Sequence, residues 1–261
     1  MTILITGATD GLGRALAERF AAEGQTLLLH GRDPAKLART AEELPGARTF
    51  VADLADLAQV RRLAAEIRDS TDRLDVLISN AGIGSGEPDG RERRTSADGH
   101  ELRFAVNYLA GFLLTLELLP LLRGGRVVNV ASLGQHPIDF DDLMIERGYS
   151  GSRAYGQSKL SQIMSGFELA TRAPDVSVTS LHPGTYMPTK IVLREVGHSI
   201  DSLETGVESV HRLAVGDAGT ATGRFFDRTR ETTANTQAYD ADARRELWRR
   251  SLELVGHPGI D

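Results

Sequence analysis

Thr2-Ile-Leu-Ile-Thr-Gly-Ala-Thr-Asp-Gly-Leu-Gly13 is the stretch that decides the fold. Ile3, Leu4 and Ile5 form an uncharged apolar run, which suits a strand buried on both faces. Gly7, Gly11 and Gly13 follow, with Thr9, Asp10 and Leu12 between them. From Arg14 to Glu23, Ala15, Leu16, Ala17, Phe20 and Ala21 recur at helical spacing. Strand, glycine turn and helix start, in that order, make a cradle for a dinucleotide's phosphates. The backbone can approach where a side chain would collide, and the helix turns its free N–H groups and positive end toward an anion. The spacing is Gly-x3-Gly-x-Gly rather than the commoner Gly-x-Gly-x-x-Gly. By itself it is equally the pattern of a strand-to-helix turn without a ligand.

Outward from that turn the same alternation continues. Apolar runs at Thr26–His30, Thr49–Ala52, Val76–Ser79, Arg126–Val130, Val176–Leu181 and Gly223–Phe226 predict further strands. Helices are predicted over Asp33–Glu43, Leu57–Ile67, Glu101–Leu119, Arg153–Arg172, Thr205–Val215 and Asp240–Val255. Regular alternation implies an α/β fold: one doubly wound parallel sheet of about seven strands with helices on both faces. No linker, repeat or low-complexity segment divides residues 1–261, so one domain is expected.

Bulk properties exclude several classes. The 261 residues are 41% hydrophobic and 25% charged, an ordinary globular balance. A net charge of −6 argues against a nucleic-acid surface. Without cysteine there is no disulfide, thiolate nucleophile or cysteine-bound metal. No histidine pair has a ligand spacing with a carboxylate, so no metal is expected. The apolar stretch Ala105–Leu122 is broken by Asn107, Thr115, Glu117 and Pro120, and reads as a core helix rather than a membrane span. A strand beginning at residue 2 leaves no room for a leader, which points to a cytoplasmic protein.

In such sheets ligands bind beyond the carboxyl ends of the strands. Tyr155 and Lys159 share one helix face at a four-residue offset. An ammonium beside a phenol favours the phenolate and eases proton transfer near neutrality. Ser132 ends a strand and can hold a carbonyl or alkoxide oxygen in the same cleft.

Taken in order, Thr6-Gly7-x3-Gly11-x-Gly13, Asp53-Leu54, Asn80-Ala81-Gly82, Asn107, Val127-Val-Asn-Val-Ala-Ser132, Tyr155-x3-Lys159 and Pro183-Gly184 resemble a short-chain dehydrogenase/reductase over the full length. Asn107–Thr115, Asp139–Leu143, Ala154–Leu160, Leu181–Gly184 and Leu247-Trp248 are similar to the retinol-dehydrogenase-like and protochlorophyllide-reductase-like branch. The resemblance implies a Rossmann-type sheet and a hydride-carrying cofactor. It implies Tyr155 as acid/base, Ser132 as holder of the reacting oxygen, and Lys159 on the nicotinamide ribose. Asn107 would complete the proton relay. Asp53 and Leu54 would meet the adenine, Asn80, Ala81 and Gly82 would pack on the cofactor, and Pro183 and Gly184 would back the nicotinamide. Thr189 is a candidate for its carboxamide, although it lies five rather than four residues after Gly184.

Gly31 stands where an acidic residue would bind the ribose hydroxyls of NAD, and Arg32 follows. An arginine there suits a 2′-phosphate, which favours NADP(H) over NAD(H). Asp10 opposes this as a nearby negative charge. Asp33 reads as a helix cap. His30, His182, Asp139, Asp141 and Asp142 read as structural, and Trp248 as a packing anchor.

Ser132 and Tyr155 are 23 positions apart, which the resemblance makes a long interval. Substrate-side segments are expected at about 133–154 and 185–204. They would offer His136, Phe140, Met144 and Tyr149 on one side, and Tyr186, Met187, Ile191, Val192 and Leu193 on the other. Such a lining favours a lipophilic ketone, aldehyde or secondary alcohol, and loops of this length are where lid motion is expected. The alternatives are the same cofactor used for alkene reduction, dehydration or epimerisation, or a dinucleotide-sensing binding protein. The long helices at Glu101–Leu119 and Arg153–Arg172 are, by resemblance, the faces of a homodimer or homotetramer.

Overall fold

Apolar residues alternate in phase across neighbouring strands, and this phase places the core on both sides of one sheet. The computed structural model describes residues 1–86, 90–189, 192 and 197–260. Its strands are β1 (Thr2–Ile5), β2 (Thr26–Gly31), β3 (Arg48–Val51), β4 (Val76–Ser79), β5 (Arg126–Val130), β6 (Ser177–His182), β7 (Arg224–Asp227) and β8 (Arg230–Thr232). Their order is β3-β2-β1-β4-β5-β6-β7-β8. All pairs are parallel except β7 with β8. Eight strands therefore stand where about seven are expected. β8 is Arg-Glu-Thr, too short and polar to carry a strand signal, and exists because a tight turn folds it back on β7.

Register pairs Leu4 with Leu28 and Leu77, and Leu77 with Val127. These face one core cluster together with Val178 and Phe225. Ile3, Ile5, Leu27, Leu29, Val76, Ile78 and Val128 face the other. Helices α1 (Gly11–Ala22) and α7 (Leu203–Ala214) cover the second side. Helices α3 (Leu57–Ser70), α5 (Ala110–Leu118), α6 (Gly151–Arg172) and α8 (Ala241–Val255) cover the first. Short polar residues start the helices. Asp33 caps α2 (Pro34–Glu43), and Asp56, Ser150, Ser202 and Asp240 cap α3, α6, α7 and α8.

The helix expected over Glu101–Leu119 is composite. α4 (Leu102–Phe104) leads into a π-helical turn, Ala105–Leu109, before α5. Asn107 sits in that turn. The run Leu102–Leu121 is apolar and long enough to cross a membrane, but 67% of it is buried in the fold. Its partner α8 is anchored by Trp248, which is 3% exposed. The indole stands edge-on to Phe112 at 4.9 Å, with the Arg172 guanidinium 5.1 Å from its ring.

Truncating that anchor leaves a cavity between three helices. Trp248→Ala is expected to lower unfolding stability by about 3–5 kcal/mol in urea titrations. A loss no larger than a surface substitution would mean that α8 is not part of the cooperative core.

Candidate active site

The glycine turn is built by close approach. Gly7 has φ +69°, a left-handed conformation that L side chains resist. A Cβ on Gly13 would overlap the Gly7 carbonyl oxygen. Thr6 and Asn80 lock this turn to the exit of β4. Thr6 Oγ1 accepts the N–H groups of Asn80 (2.9 Å) and Ala81 (3.0 Å), while Asn80 Nδ2 donates to Thr6 O (2.9 Å) and Gly7 O (3.3 Å). His30 props the turn from β2. Its Nδ1 accepts the Gly7 N–H (3.3 Å) and its Nε2 donates to Ala52 O (3.0 Å). That pattern requires the neutral ring, and burial lowers the imidazole pKa accordingly. The structural reading of His30 thus has a specific geometry.

Asp10 caps α1, accepting the Gly11 N–H at 3.0 Å, and its other oxygen lies 3.6 Å from Lys36 Nζ. Its charge therefore faces a helix N-terminus and a cation. Arg32 is exposed at the end of β2 and makes no hydrogen bond or ion pair among the described residues. Thr9 packs over Gly31, and Leu12 is buried in the core under α1. Asp53 gives one oxygen to the Ala55 N–H at 3.0 Å, and Leu54 is buried. Thr189 lies against Gly11: a Cβ built there would meet Thr189 Cγ2 at 3.1 Å. Pro183 and Gly184 are buried at the exit of β6.

The four residues expected to carry the chemistry converge at the carboxyl ends of β4 and β5. Lys159 Nζ donates to Val130 O at 2.8 Å and lies 5.8 Å from the centre of the Tyr155 ring. Burial lowers the Lys159 pKa to about 8. Ser132 Oγ accepts the Gly134 N–H at 3.0 Å, which leaves its proton available to a reacting oxygen. A methyl on Gly134 would stand 3.4 Å from Ser132 Oγ and 3.9 Å from Tyr155 Cε1, so both side chains border one space. Asn107, buried, holds Ile83 at both ends: Oδ1 accepts its N–H (2.8 Å) and Nδ2 donates to its carbonyl (3.1 Å). Nδ2 also donates to Ser158 Oγ (3.0 Å), which donates to Tyr155 O (2.7 Å). Ser158 is a link that the sequence reading missed. Its only signal was its place inside the Tyr155–Lys159 interval.

Of the expected substrate-lining residues, the structure leaves His136 and Tyr186 exposed. His136 crosses the first turn of α6, where a Cβ on Gly156 would meet its ring at 2.5 Å. Four others are engaged elsewhere. The Phe140 ring lies 5.6 Å from the Arg250 guanidinium of α8. Met144 sulfur sits 3.4 Å from the Glu101 nitrogen. Tyr149 bonds Glu101 and Arg103. Met187 is buried under α7 against Gly206. Val192 is half-buried, and Ile191 and Leu193 lie outside the described residues.

The 133–150 segment is tied down by side chains that clasp its backbone. Gln157 bonds Leu143 O (2.7 Å) and the Asp139 N–H (3.3 Å), and Gln237 bonds both ends of Ile138. Asp142 accepts the N–H groups of Glu146 (2.7 Å) and Arg147 (3.0 Å), which hold its carboxyl below the usual range. Both ends of the 185–201 excursion meet at Asp201. It accepts the Thr185 N–H (2.6 Å) and is gripped by Arg228. His182 bonds Thr185 Oγ1 at 3.0 Å, and burial lowers its pKa. Among the described residues no cluster of His, Asp or Glu could hold a metal.

Burying the Lys159 ammonium opposes folding by about 3 kcal/mol at pH 7. Lys159→Met, without cofactor, is expected to unfold at a higher urea concentration than the parent at pH 7. The gap should shrink between pH 8 and pH 10.5, where the unfolded parent binds the extra proton. A gap independent of pH would place its cause in packing rather than charge.

The comparisons with known proteins agree with this geometry. A family model described as short chain dehydrogenase matches residues 1–195. A Streptomyces sp. (strain C5) protein carrying the name daunorubicin C-13 ketoreductase is 39% identical, over 98% of this chain and 92% of its own. Human retinol dehydrogenase 13 is 32% identical, over 98% of this chain and 84% of its own. A solved complex of Pseudomonas aeruginosa RhlG with NADP superposes with a TM-score of 0.70 at 25% identity, covering 87% of this chain and 93% of that one. With its glycine turn and its Ser132, Tyr155 and Lys159 in place, the chain belongs to the short-chain dehydrogenase family, the oxidoreductases that interconvert alcohols and carbonyls.

Proposed function

We propose that this enzyme reduces or forms a carbonyl on a lipophilic small molecule, with NADP(H) as its cofactor and Tyr155 as its acid/base. One observation carries the reading: the buried Lys159 ammonium stands beside Tyr155, while Ser132 borders the same space. A nearby positive charge favours the phenolate, so Tyr155 can give a proton to a forming alkoxide and take one back in the reverse direction. Ser132 donates to the same oxygen and orients it.

The glycine turn fits a dinucleotide, since the space a Cβ would fill at Gly13 and Gly11 is already bounded by Gly7 O and Thr189. The α1 N-terminus would hold the pyrophosphate, Asp53 and Leu54 the adenine, and Pro183 and Gly184 the nicotinamide face. When bound, the cofactor supplies or accepts the hydride. Arg32 supports the 2′-phosphate, because it is exposed and makes no hydrogen bond or ion pair among the described residues. The Asp10 charge is turned to the α1 N-terminus and Lys36, so it opposes an anion less than its position in sequence suggests. The relative solved with NADP supports the same choice.

Lipophilic substrates are supported by exposed apolar side chains in the expected substrate-side segments: Leu133 is 46%, Tyr186 44% and Ile200 62% exposed. The relatives named for a ketoreductase and a retinol dehydrogenase support the same class. A homodimer or homotetramer through α5 and α6 would have to accommodate α8, which packs on α6 and meets α5 through Trp248 against Phe112.

The test follows NADPH oxidation by absorbance over a panel of hydrophobic ketones and aldehydes. Tyr155→Phe is expected to lose about a hundredfold or more in kcat; turnover equal to the parent would overturn its role. Arg32→Ala is expected to raise the KM for NADPH about tenfold while leaving that for NADH unmoved. Equal losses with both would remove the 2′-phosphate contact.

A further inference from the structure

A buried ionic cluster lies one turn before Asn107. Glu101 and Arg103 are 1% and 0% exposed in their side chains, with Arg103 Nη1 3.7 Å from Glu101 Oε1. Arg103 Nη1 donates to the Tyr149 hydroxyl at 2.5 Å, and that hydroxyl donates to Glu101 Oε1 at 3.0 Å. The phenol thus bridges the two charges. The cluster also reaches backbone. Arg103 Nε donates to Gly84 O (2.8 Å) and Nη2 to Ser85 O (2.7 Å), while Glu101 Oε2 accepts the Phe104 N–H (2.7 Å).

These carbonyls follow directly on Ile83, the residue that Asn107 clasps by both its N–H and its C=O. Tyr149 immediately precedes Ser150, the cap of α6. The first turn of α6 presses on the same loop: a Cβ on Gly151 would overlap Ser85 O, and the Gly151 N–H donates to Gly90 O at 2.7 Å. Three elements therefore meet at one junction: the exit of β4, the helix that carries Asn107, and the start of the helix that carries Tyr155. Burial and Glu101 push the Tyr149 hydroxyl up to about 12, so it remains a proton donor to Glu101 at working pH.

We propose that Tyr149 is a positioning residue for the proton relay: through Glu101 and Arg103 it fixes the start of α6, and with it Tyr155, against the β4 exit loop that Asn107 holds. The proposal rests on the roles given above to Tyr155 and Asn107. Tyr149 itself stays outside the chemistry.

Tyr149→Phe removes one oxygen and leaves the ring. Steady-state reduction with NADPH is expected to show kcat lowered about tenfold by misplaced geometry, KM for NADPH within about twofold of the parent, and a displaced limb in the pH profile of kcat. Amide exchange at Ile83 is expected to quicken. Should this variant not fold, Glu101→Gln, which keeps an acceptor for the Phe104 N–H and puts a donor in place of the oxygen that accepts from the Tyr149 hydroxyl, is expected to give the same pattern. An unchanged kcat per folded molecule with an unchanged pH profile would overturn the proposal, even beside a lower melting temperature. If the parent reduces no carbonyl in the panel, the functional reading falls. Exchange at Ile83 then decides alone, and an unaltered rate in Tyr149→Phe overturns the junction.

Discussion

The contact between the missing side chain of Gly13 and the Gly7 carbonyl is the constraint on which the site depends. Only a glycine lets α1 begin so close to the end of β1. Thr6 and Asn80 then carry the position of this turn across to β4, and His30 carries it to β2. Backbone polar groups that would otherwise be buried without partners are satisfied by the same side chains. The turn is thus tied by side-chain hydrogen bonds to the strands on either side of β1.

Much of this was legible in the sequence because it is local. Strand runs, glycine spacing, the Tyr155–Lys159 offset and the Asp33 cap are all set by residues within a few positions of one another. What was not legible is long-range. Tyr149 lies 46 residues from Arg103 and 48 from Glu101, and no periodicity joins them. In a linear reading Tyr149 is an aromatic in a substrate loop and Glu101 the first residue of a long helix; the fold joins both with Arg103 in one cluster. Met187 misleads in the same way: it follows the exposed Tyr186 yet packs beneath α7, because the chain reverses side at that point. β8 escaped notice because a strand of Arg-Glu-Thr owes its pairing wholly to the turn before it.

Residues 133–150 are clasped along their length by Gln157, Gln237, Asp142 and Arg250. Asp201 accepts the N–H of Thr185, sixteen residues before it, and is gripped by Arg228. Side chains remote in sequence thus satisfy the backbone of the first segment and close the base of the second.

The packing of α8 over α5 and α6 has a consequence for how the enzyme behaves on dilution. A face covered by a second subunit stays covered only while the partner is abundant, since its burial obeys mass action. Here the contact is made by the same polypeptide, entered through the 3-10 turn Thr236–Tyr239, and its effective concentration does not fall when the protein is diluted. The packing of α8 on α6, the helix that carries Tyr155 and Lys159, is therefore present in each single molecule.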